Sequence, residues 1–154
     1  RAALSTLQTM IAEAPAALPL AAALLVEVAE TSGQTDQVLQ GLQQHYAAAP
    51  SLDVLDAIVA LTEKAGQATS PGRLWYLRHL DTEPSLVAAA KWMAGERLEH
   101  EQYHPQVQRA LDHATQPLTR YRCAACGFEA RQHFWQCPGC QTWDSYPARR
   151  VEEL

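Results

Sequence analysis

The segment from Cys123 to Cys140 reads CAACGFEARQHFWQCPGC and contains all four cysteines of the 154-residue chain. They form two C-x2-C pairs, Cys123 with Cys126 and Cys137 with Cys140, and ten residues separate the pairs. Two residues between cysteines allow one tight turn to present both sulfurs to a single ion, and two such turns facing each other close a tetrahedron. The spacing therefore predicts one metal ion held by four thiolates.

Other interpretations of the four cysteines are weaker. Two disulfides would suit a secreted protein, but the sequence carries no sign of secretion and the paired spacing is typical of a metal site. A thioredoxin-like redox pair would need a βαβ context, which the sequence lacks. Zn²⁺ and Fe both accept four thiolates in a tetrahedral arrangement, so the choice between a structural zinc and a redox-active iron stays open.

Aromatic residues flank the cysteines in short stretches that favour β-structure. We expect residues 118–154 to form a small β module with these aromatics as its core, dependent on the metal for stability. We also expect its aromatic face, through Trp135 or Trp143, to dock on the last helix pair, residues 86–116. The aromatic set is Tyr121, Phe128, Phe134, Trp135, Trp143 and Tyr146.

The rest of the chain repeats with a period of 34 residues. Pro50-Ser51-Leu52 recurs as Pro84-Ser85-Leu86, and Leu18 has the same phase. His45, His79 and His113 share the period too. Equivalent positions in stacked units are about 8–10 Å apart, too far for one ion, so we expect packing or surface histidines. A fixed period of this length is typical of stacked helix pairs.

Residues that typically begin helices are placed in each unit so as to suit a helix, a turn and a second helix. We expect Ser51 and Ser85 to cap the first helices of two units, and Thr35, followed by Asp36, to cap a second helix. Ser70-Pro71 has the same role in the middle unit. We therefore predict a mainly α fold in residues 1–117. Its tetratricopeptide-like units lie at about 18–50, 52–84 and 86–116, with a partial unit before residue 15.

Charge and hydropathy narrow the classes of partner. Residues 1–117 carry 13 acidic and 7 basic residues, whereas residues 118–154 carry 4 and 5. An acidic helical surface repels a phosphate backbone, so we expect no nucleic-acid partner. The most apolar stretch, Leu18 to Val28, has about eleven residues, fewer than the ~20 that a bilayer requires, so we expect no transmembrane segment.

One tempting catalytic motif is His100-Glu101-Gln102-Tyr103-His104, which has the H-E-x-x-H pattern of zinc peptidases. The 34-residue phase places it across the connection between two helices, and we expect Pro105 to hold His104 out of helical geometry. Because the motif needs one continuous helix, we expect no peptidase site. The sequence also lacks a Gly-rich phosphate loop and a G-x-S-x-G elbow, so we expect no enzyme.

Helical repeats followed by Tyr121-Arg-Cys-Ala-Ala-Cys-Gly-Phe128 and Trp135-Gln-Cys-Pro-Gly-Cys-Gln-Thr-Trp143 resemble the lipopolysaccharide assembly protein B family. Its bacterial members join tetratricopeptide repeats to a C-terminal rubredoxin-like module. The resemblance covers the whole chain, and residues 121–143 are its most specific part. It implies the metal-ligand role for all four cysteines. A short gap between the pairs, and Gln141 in place of a glycine, depart from true rubredoxins and favour a structural ion.

The resemblance implies a non-enzymatic adaptor in the regulation of lipopolysaccharide biosynthesis. Members are tethered to the cytoplasmic face of the bacterial inner membrane by an N-terminal helix, which this chain would lack. They help a membrane-bound AAA+ protease degrade the deacetylase that commits material to lipid A. The implied partners are this protease, the deacetylase and other lipopolysaccharide assembly proteins. The alternative is a rubredoxin-like electron carrier fused to a protein-binding repeat array.

Overall fold

Seven α-helices precede a small two-stranded sheet in the computed structural model, which describes residues 2–64 and 72–154. This mainly α architecture with a C-terminal β module confirms the predicted fold class. The predicted cap Ser70-Pro71 lies outside the described residues. The helices are α1 (Ala2–Glu13), α2 (Leu18–Ser32), α3 (Thr35–Ala48), α4 (Leu52–Lys64), α5 (Leu74–Thr82), α6 (Leu86–Ala94) and α7 (His104–Thr115).

The chain forms two compact units, Arg1–Trp75 and Tyr76–Leu154. In the first unit α2 packs against α1, α3 and α4. The apolar face of α2 repeats at helical spacing and lies in a shared core, as an amphipathic helix requires. The buried core residues of this unit are Leu4, Leu18, Ala22, Leu25, Ala29, Val38, Leu39, Leu42, Val54, Ala57, Ile58 and Leu61. The predicted boundary between residues 117 and 118 is not tested by this division and stays a prediction.

The 34-residue period is visible in where the helices begin. Helices α2, α4 and α6 start at Leu18, Leu52 and Leu86, the three leucines that share one phase. The three in-phase histidines each lie in the last turn of a following helix, α3, α5 or α7. His79 is buried, His45 is half-buried and His113 is exposed. Each predicted unit therefore contains two successive helices, while the unit boundaries and their membership of the tetratricopeptide class stay predictions.

The helix caps follow the prediction only in part. The Ser85 hydroxyl accepts a hydrogen bond from the Ala88 N–H at 2.9 Å, which confirms it as an N-cap. The predicted cap at Ser51 is wrong. Its hydroxyl is buried with no hydrogen-bond partner among the described residues, and it is the Ser51 carbonyl that accepts the Leu55 N–H.

The turn between α2 and α3 also differs from the prediction. Gly33 takes a left-handed conformation, with φ 68°, and ends α2, while the Gln34 N–H bonds back to the Ala29 carbonyl. The predicted cap at Thr35 is wrong, because Gln34 has the cap position and no side chain caps the helix. Asp36 does lie in the first turn of α3, where its charge complements the helix dipole.

Pro15–Ser32, which includes α2, is long and apolar enough to cross a membrane by length and composition, with a mean hydropathy of 1.3 over 18 residues. The apolar stretch predicted from the sequence, about eleven residues, is therefore shorter than this 18-residue window. Core helices and N-terminal signal sequences pass the same test. Here 28% of the window is buried, and the buried residues Leu18, Ala22, Leu25 and Ala29 lie in the helical core.

In the second unit α6 packs against α7, and two short antiparallel strands follow. Strand β1 (Tyr121–Arg122) pairs with β2 (Glu129–Ala130), with Tyr121 opposite Ala130. The pairing brings Arg122 opposite Glu129, and their side chains form an ion pair at 2.6 Å. The sheet therefore closes the loop that carries the first cysteine pair.

The C-terminal turn, Val151–Glu153, ties the module to helix α6 within this unit. One carboxylate oxygen of Glu152 accepts the Leu86 N–H at 2.6 Å and the Val87 N–H at 3.1 Å, and the other accepts the Ser85 hydroxyl at 2.7 Å. A negative carboxylate at these N–H groups satisfies donors that the helix itself leaves unpaired. Glu152 thus completes the cap that Ser85 begins.

The predicted docking through exposed tryptophans is wrong. Trp135 and Trp143 are 61% and 65% exposed, whereas Glu152 makes the contact with α6. On the other side of the turn, the Val151 N–H bonds to the Arg120 carbonyl at 2.8 Å. Backbone and carboxylate hydrogen bonds, rather than aromatic burial, attach this end of the module.

Candidate metal centre

All four cysteine sulfurs lie within 4.8 Å of one another, and all four cysteines are free. Two of the sulfur–sulfur distances are 3.8 Å, between Cys123 and Cys140, and 3.7 Å, between Cys126 and Cys137. A tetrahedral ion with metal–sulfur bonds of ~2.3 Å requires sulfurs about 3.8 Å apart. The arrangement therefore fits one tetrahedral metal ion and brings together the four residues that the sequence predicts.

The two cysteine pairs have nearly the same backbone geometry. In the first turn the Gly127 N–H bonds to the Cys123 carbonyl at 2.9 Å, and in the second the Gln141 N–H bonds to the Cys137 carbonyl at 2.8 Å. The first cysteine of each turn then donates its N–H across the turn at 2.9 Å, to Phe128 or to Thr142. Each pair is thus a closed knuckle that holds its two sulfurs on one side.

The residue after each second cysteine has a left-handed conformation, with φ 79° at Gly127 and φ 61° at Gln141. Glycine adopts this region freely, whereas a residue with a Cβ carries a cost of about 1–2 kcal/mol. Gln141 therefore replaces the expected glycine without changing the turn. Its departure from the rubredoxin pattern leaves the knuckle geometry intact at some expense in stability.

Hydrogen-bond donors surround the sulfurs. The Gly139 N–H donates to the Cys137 sulfur at 3.3 Å. Two hydroxyls come from the segment after the second knuckle: Ser145 Oγ lies 3.1 Å from the Cys123 sulfur, and Thr142 Oγ1 lies 3.3 Å from the Cys140 sulfur. Both hydroxyl oxygens accept from protonated thiols, and each hydroxyl could instead donate to a deprotonated sulfur and orient it toward an ion. Neither hydroxyl could be predicted from the sequence, because its contact depends on how the chain returns after Cys140.

These contacts shift the thiol pKa values in different directions. The hydrogen bond with Ser145 lowers the pKa of Cys123 to about 6, although burial opposes the shift. Hydrogen bonds with Thr142 lower the pKa of Cys140. At Cys126 a backbone hydrogen bond with Phe128 lowers the pKa, but burial and the neighbouring sulfurs outweigh it and raise the pKa to about 12. Four sulfurs this close therefore disfavour four negative charges, which a cation would neutralise.

The sulfurs differ in access to solvent. Cys123 and Cys137 are 1% and 0% exposed, whereas Cys126 and Cys140 are exposed. Each knuckle thus contributes one buried and one exposed cysteine.

An aromatic cluster covers the buried side of the site. Tyr146 is 5% exposed, and its hydroxyl donates to the Phe128 carbonyl at 3.1 Å. His133 packs edge-on against Tyr121 and Tyr146. Of the six aromatics predicted as the module core, Tyr121 and Tyr146 are buried, whereas Phe128, Trp135 and Trp143 are exposed. His133 was not predicted as part of this cluster, since a polar histidine after Arg131 and Gln132 carries no core signal of its own.

Phe128 links the two knuckles despite its exposure. A Cβ placed on Gly139 would lie 3.2–3.3 Å from atoms of the Phe128 side chain, so glycine allows this close approach. The aromatic ring after the first knuckle therefore rests on the backbone of the second. A Cβ at position 139 would require the Phe128 side chain to shift by a few tenths of an ångström.

The H-E-x-x-H residues do not share one α-helix. Glu101–Tyr103 form a 3-10 turn, and α7 begins only at His104. The expectation that Pro105 would hold His104 out of helical geometry is wrong: His104 has helical dihedrals, φ −53° and ψ −43°, because proline is tolerated in a first helical turn. Within the described ranges, these residues do not form a metal-type cluster of three or more ligands.

Residues 121–146 match the family described as "Rubredoxin metal binding domain". This match and the four clustered sulfurs define the C-terminal module as a rubredoxin-type metal-binding domain, in support of one tetrahedral metal site. A 36-residue segment is 44% identical to lipopolysaccharide assembly protein B of Escherichia coli strain K12, and equally to the proteins of that name from the O6:H1 and O157:H7 strains. The resemblance to this family that the sequence predicts is confirmed.

The shared segment is a small part of each protein. It covers 23% of this chain and 9% of each of these relatives. The similarity therefore concerns the metal-binding module, which this chain shares with proteins named lipopolysaccharide assembly protein B.

Proposed function

We propose that this chain is a non-enzymatic adaptor that regulates lipopolysaccharide biosynthesis. In this role it binds the deacetylase that commits material to lipid A and brings it to a membrane-bound AAA+ protease for degradation. The observation that carries the proposal is the 44% identity of the metal-binding module to proteins named lipopolysaccharide assembly protein B. The proposed location is the cytoplasmic face of the bacterial inner membrane.

In this proposal the helical part supplies the recruiting surface. Helices that restart every 34 residues are typical of stacked repeats, whose faces hold segments of other proteins. The acidic balance of residues 1–117, with 13 acidic against 7 basic residues, favours protein partners over nucleic acid. Neither feature requires a catalytic residue.

In the metal-binding module we propose that Cys123, Cys126, Cys137 and Cys140 hold Zn²⁺. A zinc ion bound to four thiolates has no open position for chemistry and serves as a crosslink between the knuckles. Two aromatic residues pack around the site: Phe128 rests on Gly139, and the Tyr146 hydroxyl lies 3.8 Å from the Cys137 sulfur. The metal thus gives the small module the stability that its few buried apolar residues do not provide.

The adaptor proposal is tested by measuring the half-life of the deacetylase in bacteria that lack their own lipopolysaccharide assembly protein B. Expression of the full chain should shorten that half-life, and the purified chain should retain both the deacetylase and the solubilised protease. The Cys137→Ser variant serves as the metal-free control. An unchanged half-life together with no retention of either protein would overturn the proposal.

A second function is favoured by the two exposed cysteines, one in each knuckle. If the ion is iron, Cys126 and Cys140 would offer electron access at the protein surface, and the chain would be a rubredoxin-like carrier fused to a protein-binding array. Metal analysis and a visible spectrum separate the two proposals. Zinc as the bound metal in chain purified from its host supports the adaptor, whereas iron with a reversible reduction would support the carrier.

A further inference from the structure

Ser145 follows the second knuckle in sequence but contacts the first. Its carbonyl accepts the Ala124 N–H at 2.7 Å, and its hydroxyl oxygen lies 3.1 Å from the Cys123 sulfur. Both side chains are enclosed, with Ser145 8% and Cys123 1% exposed. The contact is therefore shielded from water, which leaves the Ser145 hydroxyl as a donor that solvent does not replace.

The hydrogen bonds run in one direction when the sulfur carries its proton. The Cys123 thiol donates to Ser145 Oγ, and the Ser145 hydroxyl donates to the Thr142 carbonyl at 3.2 Å. A metal-bound sulfur has no proton to donate, so the first of these bonds is lost and a charged, buried acceptor takes its place. Backbone hydrogen bonds with Cys126 and Ala125 already favour the charged form of Cys123, and a further donor stabilises this buried charge more.

The Ser145 hydroxyl then has two acceptors within reach. The Thr142 carbonyl already receives the Cys137 N–H at 2.9 Å, so it stays satisfied without the hydroxyl. The Cys123 thiolate is charged, and hydrogen bonds to charged acceptors are about twice as strong as neutral ones. Rotation of the hydroxyl from the carbonyl to the sulfur is therefore favourable once the metal is bound.

We propose that Ser145 is a positioning residue for the metal, whose hydroxyl donates to the Cys123 thiolate and orients this buried ligand toward the ion. The proposal rests on the tetrathiolate site proposed above. Thr142 provides a contrast within the same segment. Its hydroxyl lies 3.3 Å from the Cys140 sulfur, but both residues are exposed, so water can replace the contact.

The test compares Ser145→Ala with Thr142→Val in the full chain. Zinc affinity is measured by competition with a chromophoric chelator, and Ser145→Ala should raise the dissociation constant roughly tenfold or more, the usual effect of losing an outer-shell partner. Thr142→Val should change it less. Ser145→Thr, which keeps the hydroxyl, should restore most of the affinity.

A spectroscopic readout separates positioning from packing. With saturating Co²⁺ in place of zinc, the thiolate-to-cobalt charge-transfer band of Ser145→Ala should move to lower energy, because a thiolate that lacks its hydrogen bond gives up an electron more easily. Thr142→Val should move the band less. This comparison does not depend on affinity, since the site is filled in both variants.

Three outcomes would overturn the assignment. A Ser145→Ala variant within twofold of wild-type affinity and with an unmoved band would mean that the hydroxyl stays on the Thr142 carbonyl. Equal losses in Ser145→Ala and Ser145→Thr with an unmoved band would indicate packing alone. A wild-type chain that binds neither zinc nor cobalt would overturn the tetrathiolate site itself, and the Ser145 proposal with it.

Discussion

The helices of the first unit and the C-terminal module are stabilised in different ways. The largest fully buried side chains of the helical part are aliphatic: Leu42, Val54, Leu55, Ile58 and Leu61. Those of the module are two cysteines, Cys123 and Cys137. The stability of the helical core comes from many buried apolar side chains, each of which contributes about a few kcal/mol. The stability of the module depends mainly on the one site that its cysteines share. Single substitutions should therefore lower the stability of the helices by different amounts, whereas loss of the metal site should unfold the whole module.

The largest effect is expected from Cys137→Ser. This sulfur is fully buried, and a bound tetrathiolate zinc contributes on the order of 10 kcal/mol to the folding of a small module. The variant should lose its metal and the hydrogen-exchange protection of residues 121–146. Native mass spectrometry gives the metal content, with Trp143→Ala as the exposed control that keeps it. Two disulfides and no metal in the wild type would contradict the expectation.

Leu55→Ala should produce the next largest effect, confined to helix stability. Removing this fully buried side chain leaves a cavity and should lower the free energy of unfolding by about 2–5 kcal/mol. Urea unfolding followed by far-UV circular dichroism measures the change, and metal content should stay at the wild-type level. Leu24→Ala, at a position 48% exposed in α2, is the matched control and should cost under about 1 kcal/mol.

Glu152→Gln tests the link between the module and helix α6. Loss of the carboxylate charge at the Leu86 and Val87 N–H groups should cost about 1 kcal/mol and lower hydrogen-exchange protection at the start of α6. Glu99→Gln, an exposed position outside the helices, should leave protection unchanged. Metal-free Cys137→Ser should show the same loss over residues 86–94. Full protection of α6 in both variants would mean that this cap contributes nothing to the helix.

A pair of substitutions tests the equivalence of the knuckles. Gln141→Gly should raise module stability by up to about 1 kcal/mol, because glycine adopts φ 61° without strain. Gly127→Ala should lower it by about 1 kcal/mol at φ 79°, where no neighbouring atom lies within 4 Å of the added Cβ and backbone strain is the sole cost. Thermal melts of the zinc-loaded chain measure both. Shifts of the same sign would show that the two turns are not equivalent.

The smallest effect is expected from Glu101→Gln. This residue is exposed in a 3-10 turn ahead of α7, away from the one-helix geometry that an H-E-x-x-H site needs. Metal content, melting temperature and deacetylase retention should all equal those of the wild type. A peptidase activity present in the wild type and lost in this variant would show that the motif is catalytic.

Local sequence patterns predicted the features that depend on short spacings. The C-x2-C pairs specify two turns whatever surrounds them, so the clustering of four sulfurs could be predicted from residue types alone. The recurrence of leucine every 34 residues predicted the start of α2, α4 and α6 for the same reason: the repeat copies a local signal. Ser85 caps α6 as predicted, with the Ala88 N–H three residues along the chain as its donor.

Features that depend on contacts between residues distant in sequence were not predicted. Ser51 and Ser85 are the serines of the two Pro-Ser-Leu segments. Of the two, only Ser85 donates a hydrogen bond to a carboxylate, that of Glu152, which lies 67 residues away. Trp135 and Trp143 are large aromatic residues of the kind expected in a core, but both are exposed to solvent. The smaller Tyr121 and Tyr146 are buried instead. Aromatic residue type by itself does not specify which way a side chain points in a short, irregular module.

The sequence by itself determined the grouping of the four cysteines, the helical period and the order of the elements, because each is encoded within a few neighbouring residues. Only the tertiary structure decided which sulfurs are buried, that Ser145 reaches Cys123 and that Glu152 caps α6. These contacts join residues 22 to 67 positions apart. They depend on how the chain returns on itself, and that path is set by the summed packing of the whole unit rather than by any local pattern.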